Sequence, residues 1–346
     1  STQSRSSAAS DVYKRQDMFN YRLNMKLDYY YKYTSSLIYD IPIPGSLYTF
    51  GAQVENAMEI SNEGLELELQ ADILRESAVS WRMKFNMARN WNRFEKPYSG
   101  KDVVDGDGTL LVVGRPLNGL YVWAHRGYYN SDAEVPRLYK IDGQEIYFNG
   151  VATNGISGAV GDYRLLDLDG DGNPDSYYAG SPLPLAHGGW VNELMWKNFD
   201  LNVLVNFTIG RKMINNRMGL GFSRQSEDGH LTKLFDYRKL RPWDGVNKKP
   251  NAPAWGNSLS MNTDSAIEKV HHLALKQITL GYNLPDRISK KAGLSGVRFF
   301  LTAENLFYLS NYSGGNPEVV NIYTGRDNGD TYPLPRKYTL GLTLNF

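Results

Sequence analysis

The sequence predicts an all-β chain, a transmembrane antiparallel β-barrel with small turns at one end and long extracellular loops at the other. Three observations predict it. Long segments alternate apolar and polar side chains, the connections between them are short and long in turn, and aromatic residues gather at segment ends, down to the final Phe346. Period-two alternation puts successive side chains on opposite faces of a strand, which is the pattern of a wall with one greasy and one wet side.

The first strand falls at 19–33, where Tyr21, Leu23, Met25, Leu27, Tyr29 and Tyr31 alternate with Arg22, Asn24, Lys26 and Asp28. The second spans 63–73, with Leu65, Leu67, Leu69, Ala71 and Ile73 against Glu66, Glu68, Gln70 and Asp72. At 79–91, Val79, Trp81, Met83, Phe85 and Met87 oppose Ser80, Arg82, Lys84 and Asn86. A strand at 188–196 precedes the cleanest separation, at 199–209, where Phe199, Leu201, Val203, Val205, Phe207 and Ile209 share a face. Strands at 270–284, 297–309 and 337–346 complete about eight. Ordinary strands are about 5–6 residues long, and crossing a bilayer at a tilt takes about 9–11.

Connections at 74–78, 197–198 and 285–296 are tight, whereas 92–187, 210–266 and 310–336 are long and rich in Gly, Asn, Asp and Pro. Such asymmetry is expected of outer-membrane barrels, with small turns inside the cell envelope and large loops outside. Tyr29 to Tyr33, Trp81, Trp91, Trp190, Trp196, Phe307, Tyr308 and Tyr338 stand near strand ends, as interfacial girdles require. Alternation alone does not choose between faces. A soluble sandwich turns its apolar side inward and a membrane barrel turns it to lipid. A soluble β-rich carbohydrate-binding module and a passive small barrel or porin therefore stand as alternatives.

Composition removes other classes. The 38 Lys and Arg against 37 Asp and Glu form no basic block, so nucleic acid is not an expected partner. With no Cys, disulfides, thiolate metal sites and cysteine nucleophiles are excluded. A mean hydropathy of -0.47 accords with the absence of an apolar run long enough for a transmembrane helix, and barrel strands average out in the same way. Residues 1–16, STQSRSSAASDVYKRQ, carry no apolar segment and read as a non-native or disordered leader, which leaves 17–346 for the barrel.

Several blocks in order carry a family resemblance. GRPLNGLYVWAHRGYY from 114, GAVGDYRLLDLDGDGNPDSYYAGSPLPLAHGGWVNELMWKNFDL to about 201, ALKQITLGYNLP at 274–285 and VRFFLTAENLFYLSNYSGGNPE at 297–318 resemble the C-terminal region of SusC/RagA-type TonB-linked outer-membrane transporters. The resemblance covers most of 18–346. It implies a single-chain barrel of about twenty-two strands, of which this would be the C-terminal wall and loops without the plug. It further implies import of a large glycan or peptide in the bacterial outer membrane, a SusD-like surface lipoprotein as partner, and energy from the TonB complex through N-terminal parts missing here. No enzymatic activity is expected, because no nucleophile elbow, phosphate loop or metalloprotease motif occurs. A partial wall would be open, with two edge strands carrying unpaired backbone groups.

One segment suggests an ion. DLDGDGNPD sets Asp167, Asp169 and Asp171 at alternate positions, followed by Gly172, Asn173 and Asp175, the oxygen-rich pattern of a calcium loop. Tyr178 stands where a bidentate Glu would close a helix-loop-helix site, so two readings remain: a calcium-stabilised extracellular loop, or Asp and Gly residues capping turns. Calcium is the one cofactor considered and none is required. Asp102, Asp105 and Asp107 form a weaker version. The histidines at 125, 187, 230, 271 and 272 show no ligand spacing. Glu66 and Glu68 are expected to line a hydrated lumen with Arg82, Lys84, Arg298 and Glu304, and Tyr128, Tyr129, Tyr177, Tyr178, Trp243 and Trp255 could stack on sugar rings or anchor the loops. No residue is assigned to cargo binding.

Overall fold

A computed structural model describes residues 7–42, 52–75, 77–97, 103–104, 110–135, 137–139, 145–147, 160–170, 175–216, 241–246, 249–254, 263–329 and 331–346. Nine strands follow one another in a single antiparallel sheet: β1 (Ser7–Met18), β2 (Leu23–Pro42), β3 (Ala52–Leu74), β4 (Val79–Lys96), β5 (Ala186–Trp196), β6 (Phe199–Asn215), β7 (Ile267–Asn283), β8 (Gly296–Ser310) and β9 (Lys337–Asn345). Each strand of this path pairs with the next wall strand along the chain, so the wall is a meander. The sheet is open, ending at β1 on one side and β9 on the other.

Register turns eight local alternations into two continuous surfaces. One rung runs Met25, Leu69, Phe85, Trp190, Val205, Leu275 and Phe307 from β2 to β8. Another runs Trp81, Leu194, Leu201, Leu280, Leu301 and Leu340 from β4 to β9. The opposite face carries Asp72, Arg82, Glu193, Asn202, Thr279, Thr302 and Thr339 in one row. A slip of one residue in any strand would mix these faces, so the pattern itself specifies the pairing. Among the described residues no second layer covers the apolar face: Leu280, Leu301 and Leu340 are 47%, 49% and 81% exposed. Moving a Leu or Phe side chain fully out of water is worth about 1.5–3 kcal/mol. A band this wide demands an apolar medium, and the soluble-sandwich alternative lacks the facing layer that it needs.

The short connections lie at one end, at 19–22, 75–78, 197–198 and 284–295, the last with a short helix at Asp286–Ser289. Lys197 takes a left-handed conformation (φ 53) to close the two-residue hairpin between β5 and β6. The connections from β4 to β5, β6 to β7 and β8 to β9 leave from the other end. Toward that end the sheet bulges at Ser36, Gly210 and Asn305, all at positive φ, where the strands outgrow the apolar band and bend toward the loops.

Two readings at the N-terminus need correction. The sequence suggests a strand from 19 and a leader kept apart from the fold, but Phe19, Asn20 and Tyr21 form a turn at positive φ (55, 54 and 60) and Ser7–Met18 pairs with β2 as a ninth strand. The physical reason is the edge. The backbone donors and acceptors of β2 accept any extended neighbour, whatever its side chains. Side chains separate β1 from the rest: it sets Gln16 and Lys14 opposite Met25 and Leu27, so the apolar band stops at β2.

Candidate functional site

Two places could carry function: the polar face of the wall and the loops gathered beyond its bulged end. On the polar face, opposite charges pair across strands. Arg82 Nε lies 2.7 Å from Asp72, Lys84 Nζ 2.7 Å from Glu193, Arg298 Nη2 2.5 Å from Asp200, and Lys337 Nζ 3.7 Å from Glu304. Gly281 makes room for one of them, since a Cβ there would stand 2.4 Å from the Asp200 carboxylate. Glu66 and Glu68 lie exposed on the same face, opposite Asp28 and Lys26. They form part of a hydrated, internally balanced surface that screens itself.

The loops build a cap from their own small sheets. Leu120–Trp123 pairs with Ser176–Gly180, and His125–Tyr128 pairs with Tyr163–Leu165. Leu120, Val122 and Ala179 pack on Ile214 of β6, so the first of these sheets rests on the wall. Tyr163 is buried between the edge of His125, with centroids 4.8 Å apart, and the stacked ring of Tyr128 at 5.4 Å. Burial holds the phenols of Tyr128 and Tyr163 above the usual range.

A second loop locks onto the first. Thr263 bridges Trp123, Ser265 Oγ donates to Tyr163 Oη at 3.2 Å, and Asp264 meets His125 Nδ1 while accepting from Tyr177 Oη at 3.2 Å. The third loop is tied by Arg211. Its buried guanidinium donates to the carbonyls of Pro317, Val320 and Asn321 at 3.1, 2.9 and 2.8 Å, while Arg326–Asp327 runs parallel to Ile214–Asn215. Tyr312 Oη donates to Asp327 at 2.8 Å. Three segments far apart in sequence thus become one cap over one end of the wall.

The aromatic candidates divide. Tyr129 is 2% exposed and acts as an anchor. Trp243 donates to Asn130 Oδ1 at 3.2 Å and is half-buried, whereas Tyr177 keeps an exposed ring with its hydroxyl fixed by Asp264. Trp255 lies outside the described residues. Asp167, Asp169 and Asp175 do converge, with a carboxylate oxygen of each within 4.8 Å of the others. Asp175 accepts the N–H groups of Leu168 and Asp169, and Asp167 that of Gly170, so these carboxylates also cap the turn. Asp171 and Asn173, the other two proposed ligands, lie outside the described residues, as do Asp102, Asp105 and Asp107. Asp264 and Arg211, which hold the cap together, carry no local sequence signal.

This wall with its cap has known counterparts. No family model matches the chain. The TonB-dependent receptors P3 and P26 of Formosa agariphila are 26% and 28% identical to it, over 95% and 97% of this chain and 33% and 34% of theirs. The TonB-dependent receptor SusC of Bacteroides thetaiotaomicron is 26% identical over 94% of this chain and 30% of its own. Among solved structures, the RagAB peptide importer in its closed-closed state superposes with a TM-score of 0.75 at 22% identity, over 98% of this chain and 35% of that one. The chain resembles part of SusC/RagA-type TonB-dependent receptors. It spans about a third of the length of the relatives it matches. These SusC/RagA-type relatives are named as receptors and an importer rather than as enzymes. The open sheet accords with a partial barrel wall, and the continuous apolar band is the surface that such a wall turns to lipid.

Proposed function

We propose that this segment is the C-terminal wall and extracellular cap of an outer-membrane importer that moves a large glycan or peptide with energy from TonB. The observation that carries this reading is the continuous apolar band across β2 to β9, backed by a charged, self-paired face and capped at one end. Lipid on one side and a hydrated passage on the other explain both surfaces at once. A rigid wall that presents loops at its outer end suits cargo contact there, with Tyr177 among the exposed rings. A SusD-like surface lipoprotein would act on the same capped end. The plug and the TonB contact would belong to parts of the protein outside this chain. Calcium at Asp167, Asp169 and Asp175 would stiffen the cap, with Asp171 and Asn173 as further ligands.

The test separates energised import from passive diffusion. In cells carrying the protein, it should fractionate with the outer membrane, and uptake of fluorescent oligosaccharides or oligopeptides should stop when the proton gradient is collapsed. Uptake that persists without the gradient would support a porin. A soluble protein recovered without detergent would contradict the membrane assignment.

A further inference from the structure

Just above the apolar band, on the side that faces lipid, basic side chains gather. Arg89 continues the outward row of β4 opposite Leu65, and Lys212 and Lys269 face each other across β6 and β7. Arg89 lies 4.4 Å over the Trp91 ring, and Arg115 reaches from the loop to lie 4.5 Å over Tyr178. Trp91, Tyr178, Arg89, Lys212 and Lys269 line one recess of about 460 Å³. Lys212 Nζ also donates a hydrogen bond to the carbonyl of Ala179. Among the described residues, no carboxylate oxygen lies within 4.0 Å of Arg89, Arg115, Lys212 or Lys269. The polar face behaves differently, since Arg82, Lys84, Arg298 and Lys337 there each have a carboxylate.

Directly below lies a second, shallow recess of about 730 Å³, lined mostly by apolar groups, among them Phe85, Trp190, Phe207 and Leu273. Beside it Gly188 sits on the outward row between Met87 and Phe207 and offers no side chain, and Phe85 and Phe207 stack across β5, with centroids 5.9 Å apart and planes 10° apart. The two recesses adjoin at the bulge of β6, where Gly210 N–H donates to His271 Nδ1 at 3.2 Å.

We propose that this surface holds an anionic, phosphate-bearing lipid of the outer leaflet, with the headgroup on Arg89, Lys212 and Lys269 and an acyl chain in the cleft beside Phe85 and Phe207. Cations at headgroup depth attract anionic lipid. A neutral lipid would leave Lys212 and Lys269 uncompensated, and a free anion would have no use for the apolar cleft. Cargo approaching through the lumen would meet the other face. The proposal rests on the membrane reading above and goes beyond it.

The test uses the protein in nanodiscs made from equal parts of phosphatidylcholine and phosphatidylglycerol, followed by native mass spectrometry in mild detergent. Phosphatidylglycerol should be retained over phosphatidylcholine by roughly tenfold. The double variant Lys212→Gln, Lys269→Gln should abolish the preference, and the single variant Arg89→Gln, which alters only one exposed side chain, should weaken it. Excess inorganic phosphate should leave the lipid in place. Equal retention of the two lipids, or a preference unchanged in either variant, would overturn the proposal. Complete displacement by inorganic phosphate would show a free-anion site instead. Failure to enter nanodiscs at all would overturn the membrane reading and the lipid site with it.

Discussion

Replacing Leu301 by Arg puts a guanidinium into the middle of the outward face, and the structure sets the size of the effect. Leu301 lies between Leu280 and Leu340 and is 49% exposed. It is one outward residue in from Phe299, which sits beside Tyr282 and Phe199 in an aromatic row at the short-turn end. At about 3.3 Å per residue and a strand tilt of about 45°, Leu301 lies about 5 Å deeper than that row. An Arg on the lipid face costs about 2–4 kcal/mol at the midplane and about 0–1 near the interface, so about 2 kcal/mol is expected. That is about a thirtyfold shift in the folding equilibrium. Reversible urea unfolding in phospholipid vesicles reads it directly. Gln70→Arg, exposed on the polar face, serves as the control and should stay within about 0.5 kcal/mol. If both substitutions cost the same small amount, the outward face does not meet hydrocarbon and the reasoning fails.

Other consequences can be checked independently. Asp264→Asn weakens the ties to His125 and Tyr177 and should cost the cap about 1–2 kcal/mol. Faster hydrogen exchange at 120–128 and 176–180, with β5 to β8 unchanged, would show this. Asp200→Asn removes the partner of Arg298; because both groups are partly exposed, the loss should be about 0.5–1 kcal/mol and should vanish in high salt. The raised phenols of Tyr128 and Tyr163 stabilise the cap fully below the free phenol pKa of about 10. That contribution is lost as pH climbs from there toward the folded values, so absorbance titration should find these two phenols protonated after exposed tyrosines have ionised. Calcium titration should give a dissociation constant of about 10⁻⁴–10⁻³ M, weakened at least tenfold by Asp169→Asn; no heat or shift on titration would leave the three carboxylates as turn caps alone.

The wall was legible because its code is local. Period two in 63–73 or 199–209 follows from the two faces that each strand meets, and pairing neighbours in register needs nothing further. The ninth strand carries no such code. Lys14 and Gln16 fall where a lipid-facing residue belongs, and β1 joins the sheet chiefly through its backbone groups, with one side-chain bond from Asn24 to Asp17. The cap was hidden for another reason. His125 and Asp264 are 139 residues apart, Arg211 and Asn321 110 apart, and no spacing rule connects them. The acidic segment lies between these cases. Its alternate Asp residues suggested convergence, and Asp167, Asp169 and Asp175 do converge, while their bonds to backbone N–H groups serve the turn as well.

The most direct test of the account is a spin-label accessibility scan along β7 in a bilayer, one position at a time from Gln277 to Gly281, made convenient by the absence of cysteine from the chain. Labels at 278 and 280 should collide with dissolved oxygen and be shielded from a water-soluble nickel complex, and labels at 277 and 279 should show the reverse. A scan in which 278 and 280 meet the nickel complex as freely as their neighbours would contradict the claim that the apolar band faces lipid.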